Sequence, residues 1–362
     1  MELKSYKRIH MKHIIYLISI AIVLFVGCNK QEQVPANEHH AGYIFFSKDL
    51  ATKASLLGSE DMIDHFGVVG FKYDNSIAWN SQANVNPKPS VFGNNLPQTV
   101  TIDEDGDPTY SPLQGWSNSK KYAFFAYYPL SNSRVSLVDL NGNPYTTASS
   151  GTPAIKYSMN TGSLGSSMVD VMIASSVDKY FNSSSDNNLA DGEVALHFEH
   201  CLSSLGVKVK NSSSGPITLN TVVLNVTGIQ YKDMIIALDG DDAKNSVVAS
   251  GIAENMVGLS ISTTSETAIA LGAEKELTDK LIFIPQTSEI SVSVYVEYQR
   301  NAANGYSATT ATAFVPTTGS LTTELTKGTK HLIQLNFSES TVNATIGTGA
   351  WNDSITVDST FN

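Results

Sequence analysis

Cysteine is nearly absent from this chain, with Cys28 and Cys201 the only two among 362 residues. That excludes a disulfide framework and a paired-cysteine metal site. Arginine is almost as rare, at Arg8, Arg134 and Arg300, and acidic residues outnumber basic ones by 34 to 23. An acidic chain repels phosphate backbones, so nucleic acid is an unsuitable partner. Catalytic signatures are missing too: there is no G-x-S-x-G, P-loop, G-x-G-x-x-G or H-E-x-x-H pattern. No constellation marks a catalytic residue, a cofactor or a metal. No fixed-period repeat is visible, which argues against a propeller or solenoid.

The longest apolar run, Ile14 to Val26, is interrupted only by Tyr16 and Ser19 and falls short of the ~18 residues a membrane-crossing helix needs. Lys4, Lys7, Arg8 and Lys12 precede it, opposed by Glu2 alone, which is the layout of a signal peptide. Met11 would serve equally as the first residue, since Lys12 and the apolar run remain. The run ends in Phe25-Val26-Gly27-Cys28, which resembles the lipobox of bacterial lipoproteins, with phenylalanine where leucine is usual. The resemblance implies a signal peptide over 1–27 and acylation at Cys28. Several acyl chains then anchor the protein where one would hold it weakly. Residues 28–41 have no apolar periodicity and read as a solvated tether. Without residues 1–27 the chain keeps 19 basic and 33 acidic residues and only Cys201 among cysteines, so packing alone must stabilise it.

What the sequence has in abundance is a period of two. In "EISVSVYVEY" Ile290, Val292, Val294, Val296 and Tyr298 share one face, opposite Ser291, Ser293, Tyr295 and Glu297. "KHLIQLNFSES" sets His331, Ile333, Leu335 and Phe337 against Leu332, Gln334 and Asn336, again a half-buried strand. "TLNTVVLNVTG" and "SLGVKVKNS" repeat the device, while "YAFFAYYP" and "VDVMIASS" are apolar enough for strands covered on both faces. Turn clusters such as "DEDGDP", "NGNP" and "NSSSG" separate them. Helical windows are few, the best being "ETAIALGAEKEL" at 266–277, interrupted by Gly272. The expected fold is all-β, of sandwich type.

The polar stretch "DKYFNSSSDNNLADGE", 178–193, lies between two apolar strands and reads as a linker. It divides the chain into an N-terminal sandwich over 42–188 and a C-terminal one over 189–362. Histidines 197 and 200 are spaced by three, which puts them on opposite faces of a strand, so packing or surface roles fit better than a shared metal. Cys201 reads as a small buried hydrophobe. The acidic knots at 103–107 and 239–242 do not match a calcium loop and read as hairpin turns. Trp79, Trp116 and Trp351 fit the core or a domain interface better than a sugar-stacking platform.

A lipobox cysteine followed by "GYIFFSKDLATKAS", "FGVVGFKY", "YAFFAYYP", "VDVMIASS", "VALHFEHCLSSLGVKVKN" and "LTKGTKHLIQLNF", then Trp351, resembles the Mfa-like fimbrillins of Gram-negative gut and oral anaerobes. The resemblance spans the chain beyond the leader. It implies two tandem transthyretin-like β-sandwiches in an outer-membrane surface lipoprotein. Such a protein polymerises into fimbriae with other fimbrillin subunits by donor-strand exchange, or sits on them as anchor or tip, and engages surface ligands in adhesion. Relatives that polymerise are cut after an arginine beyond the first strand. Here the corresponding stretch "ATKAS" offers Lys53-Ala54 as the maturation site. Ser354 and Ser359, in Asp-Ser-Ile and Asp-Ser-Thr, resemble an O-glycosylation sequon. A glycan-binding lipoprotein serving a neighbouring transporter is the alternative, and coplanar exposed aromatics on one face would mark it.

Overall fold

The period-two reading leads to a chain built of strands. The computed structural model describes residues 42–47, 63–94, 96–159, 169–181, 189, 192–249, 260–277, 281–301, 309–316 and 321–350, which all lie in one compact unit. The strands before residue 182 are β1 (Phe45–Phe46), β2 (His65–Asp74), β3 (Gln98–Ile102), β4 (Pro108–Thr109), β5 (Lys120–Tyr128), β6 (Val135–Val138), β7 (Ala154–Ser158) and β8 (Met172–Lys179). Those that follow are β9 (Glu193–Val194), β10 (Glu199–His200), β11 (Ser203–Asn211), β12 (Ile217–Thr227), β13 (Tyr231–Ala237), β14 (Ser246–Ala249), β15 (Ser260–Ile269) and β16 (Glu274–Glu276). Then come β17 (Leu281–Phe283), β18 (Gln286–Arg300), β19 (Thr309–Val315), β20 (Leu321–Leu325), β21 (Thr329–Phe337) and β22 (Val342–Ala350). Among the described residues the one α-helix is Trp79–Gln82.

Four sheets hold all but two of the described strands, in the orders β10-β8-β5-β2-β3-β4, β14-β13-β7-β6, β16-β11-β21-β22 with β17 also on β11, and β15-β12-β18-β19 with β20 also on β18, and β1 and β9 form a fifth of two strands. Pairing is antiparallel except between β11 and β21 and between β1 and β9. The last two of the four bury facing apolar rows. Ile290, Val292, Val294, Val296 and Tyr298 of β18 point inward as expected, and the Tyr298 ring meets Phe337 of β21 edge-on at 4.9 Å. The second sheet crosses the expected division after residue 188, since Met234 of β13 pairs with Tyr157 of β7. Two other pairings cross it as well, β10 with β8 and β1 with β9.

The expectation that "YAFFAYYP" is covered on both faces holds in β5. Phe124 faces Phe46 at 5.7 Å, while Phe125 on the opposite side packs on Trp79 at 4.8 Å. One reading is corrected. β21 is buried on both faces, its polar residues included, and Gln334 Nε2 donates to Asn336 Oδ1 at 2.7 Å. The helical window 266–277 is the end of β15, a turn and β16. Gly272 sits at φ +74, and the fully buried Asn211 holds the turn. The Asn211 carbonyl accepts from the Gly272 N–H at 2.8 Å, its N–H donates to Ala273 O at 3.0 Å, and its side-chain Nδ2 donates to Ile269 O at 3.0 Å.

Candidate functional site

The segment Gly42–Ser47 is short, mostly apolar and held by residues remote in sequence. Its alternation sends Ile44 and Phe46 inward, with 0% and 3% of their surfaces exposed, and leaves Tyr43 at 41%. One edge of the segment bonds the loop after β4: Ile44 N–H donates to Gln114 O and Trp116 N–H donates to Gly42 O, both at 2.8 Å. The other edge runs parallel to β9, with Phe45 beside Glu193 and Phe46 beside Val194, and Ser47 N–H donates to Val194 O at 3.0 Å.

The groove beneath is aromatic. Phe46 lies edge-on to Phe124 and to Phe66, with centroids 5.7 and 6.1 Å away, and tilted over Tyr110 at 5.8 Å. Phe66 in turn meets Phe198 at 5.3 Å. The Tyr110 hydroxyl donates to Ile44 O at 2.9 Å and accepts from Gln114 N–H at 3.3 Å. Burial pushes the Tyr110 hydroxyl pKa far up, so it stays protonated as a donor. Gly115 lets the two backbones approach, since a Cβ there would sit 3.3 Å from Gly42 O.

Magnitudes place this docking near balance. Burying the Ile44 and Phe46 side chains gains about 1.5–3 kcal/mol each, and each hydrogen bond adds about 1 kcal/mol net. Fixing the backbone of the segment costs about 1–2 kcal/mol per residue. The opposing sums come within a few kcal/mol of each other.

The expected first strand at Tyr43–Phe46 is thus in place, as β1 with an isolated bridge between Tyr43 and Gly115. Cys28, Lys53, Ala54, Trp351, Ser354 and Ser359 lie outside the described residues. His197 is exposed and His200 buried, on opposite faces, and His200 Nδ1 meets Asp170 Oδ2 at 2.9 Å. Cys201 is fully buried and its thiol pKa is pushed far up by that burial, which disables it as a nucleophile. The 103–107 knot turns between β3 and β4, with Asp103 Oδ1 accepting from the N–H groups of Asp105 and Asp107 at 3.0 and 2.8 Å. In the 239–242 knot Asp239 binds Lys244, and Asp241 caps the short turn that follows by accepting from Ala243 N–H. Among the described residues no three His, Cys, Asp or Glu side chains converge for a metal. Trp79 is buried, and Trp116 is half-buried against Tyr122 and Phe124. Tyr110, Gln114, Gly115 and Val194 gave no signal in the sequence. They act on β1 through pairings that no local period encodes.

The model of the fimbrillin-like family matches residues 61–351. A search of curated proteins returns no match. Among solved structures, a fimbrial protein from Bacteroides vulgatus superposes over 86% of this chain and 100% of its own, with a TM-score of 0.55 at 18% identity. A candidate cell adhesion protein from Bacteroides ovatus covers 86% of this chain and 98% of its own, with a TM-score of 0.47 at 16% identity. Another from Bacteroides uniformis has the same coverage, a TM-score of 0.44 and 14% identity.

Proposed function

Because this chain belongs to the fimbrillin-like family, we propose that it is a non-enzymatic subunit of a surface fimbrium, as shaft, anchor or tip, assembled by β-strand donation and serving cell adhesion. The observation that carries this reading is the seating of Gly42–Ser47 in a groove lined by Phe66, Tyr110 and Phe124. A strand so held stays while it is tethered and exchanges once it is cut free. Its departure leaves apolar surface and unpaired backbone groups, which a strand from another subunit satisfies by β-addition. A head-to-tail contact of that kind propagates as a filament when its rotation does not close. Two tandem transthyretin-like sandwiches, joined through the sheet β14-β13-β7-β6, are the architecture this reading assumes.

Maturation by cleavage between Lys53 and Ala54 is the switch. Purified precursor treated with a lysine-specific protease is expected to lose residues up to 53 and form filaments under the electron microscope, while Lys53→Gln stays monomeric. Cleavage at Lys53 without strand loss or polymer would leave the protein a lipid-anchored base or tip subunit.

Anchoring at Cys28 in the outer membrane completes the reading. Metabolic labelling with a palmitate analogue should tag the wild type and leave Cys28→Ser unlabelled, and equal labelling of the two would remove the anchor.

A further inference from the structure

We infer that the groove selects its strand by sequence: an aliphatic residue followed two positions later by an aromatic one, with Tyr110 touching both, its ring on the aromatic side chain and its hydroxyl on the backbone carbonyl of the aliphatic residue. The inference rests on the strand-donation reading above and names the chemistry of the strand that fits, an uncharged extended segment of another fimbrial subunit.

The seated segment shows what fits. Ile44 and Phe46 fill the two inward positions, and the second is walled by rings on three sides, at 5.7, 5.8 and 6.1 Å, with interplanar angles of 88°, 56° and 77°. Such contacts reward a fourth ring with an attraction that an aliphatic side chain of similar volume does not supply. Tyr110 belongs to this wall, and its hydroxyl also marks the carbonyl of the residue two positions earlier, at 2.9 Å. Gln114 closes the arrangement. Its N–H donates to the same hydroxyl at 3.3 Å and its carbonyl accepts from Ile44 N–H at 2.8 Å, so both peptide groups of residue 44 are held by one loop.

Register follows from the same contacts. A slip of one residue sends Tyr43 and Phe45 inward, moving every side chain to the wrong face. It also takes the carbonyl away from a hydroxyl that is buried and would be costly to leave without an acceptor. Gly115 adds a steric condition, because the strand backbone passes 3.3 Å from where its Cβ would be.

The test uses the full chain in two arms. Amide hydrogen exchange is measured in wild type, Tyr110→Phe and Phe46→Leu. Both substitutions should speed exchange at Ile44 and Ser47 about tenfold, while Val69 and Phe125 in the β2–β5 ladder keep wild-type rates. Unchanged rates at Ile44 and Ser47 in both variants would overturn the inference. In the second arm, wild-type protein nicked after Lys53 is offered labelled Gly-Tyr-Ile-Phe-Phe-Ser peptide or its counterpart with leucine in place of the second phenylalanine. Uptake of the aromatic peptide is expected to be about tenfold tighter. Equal uptake of the two discards sequence selection and leaves strand donation standing. Uptake of neither discards strand donation, and the amide exchange then decides alone whether Tyr110 holds the segment.

Discussion

Phe124→Ala is expected to lower stability by about 3–5 kcal/mol, the range for emptying a large aromatic site in a core that cannot collapse. Phe124 is fully buried at the centre of β5, stacked on Tyr122 at 6.1 Å and surrounded by Phe46, Phe92 and Trp116 at 5.7, 6.5 and 6.2 Å. Gly70 on the neighbouring strand lets the ring lie against the sheet, since a Cβ there would approach it to 3.2 Å. Rigid rings on every side prevent the cavity from closing. The comparison with Phe125→Ala separates core from groove. That residue faces Trp79 across the other side of the sheet, so its loss should cost a similar amount of stability and leave the seated strand alone. Urea denaturation gives the first quantity and amide exchange at Ile44 the second. A loss below about 1 kcal/mol for Phe124→Ala would mean that the aromatic cluster repacks.

Acidification from pH 7 to pH 4 should cost about 2–3 kcal/mol through His331 alone. The side chain is buried at the start of β21, where Nδ1 shares a hydrogen bond with Thr323 Oγ1 at 3.1 Å and Nε2 has no partner among the described residues. Burial disfavours the charged ring and lowers its pKa from 6.5 to about 4. The sign follows from proton uptake. Below 6.5 the unfolded chain binds the proton and the folded chain does not until about 4, so this stability is present above 6.5 and is lost as pH falls through that window. Denaturant unfolding of wild type and His331→Leu at a series of pH values isolates the effect, because other titrating groups are common to both. The difference between the two curves should change by that amount between pH 7 and pH 4. A constant difference would show that the imidazole takes up its proton without opening the sheet.

How far the sequence could be read depends on the range of the interaction. β18 was legible residue by residue because alternation is a local property: Ile290, Val292, Val294, Val296 and Tyr298 all lie inside. β21 was half legible. Its polar residues pair with each other and are buried, and a period cannot distinguish a polar side chain facing water from one satisfied by its neighbour. The 266–277 window has helix-forming letters, but Asn211, far upstream, captures the turn at Gly272 and Ala273. Propensity lost to a tertiary contact there. In the groove, the strand itself could be recognised by its apolar run, whereas the hydroxyl that grips it comes from 66 residues away. Nothing in the spacing of Tyr110 or Gln114 announces that role.

Strand order also sets a timetable for folding. One edge of β1 waits for Glu193 and Val194, and one edge of β7 waits for Tyr231–Ala237. A chain emerging amino end first can seat its first segment on the loop at Gln114–Trp116, but leaves the other edge of that segment without a partner until Val194 is out. Closing such distant pairs is slow, because loop entropy is spent before contacts repay it. The closing of these two edges therefore falls late, after the edges on their other sides have paired.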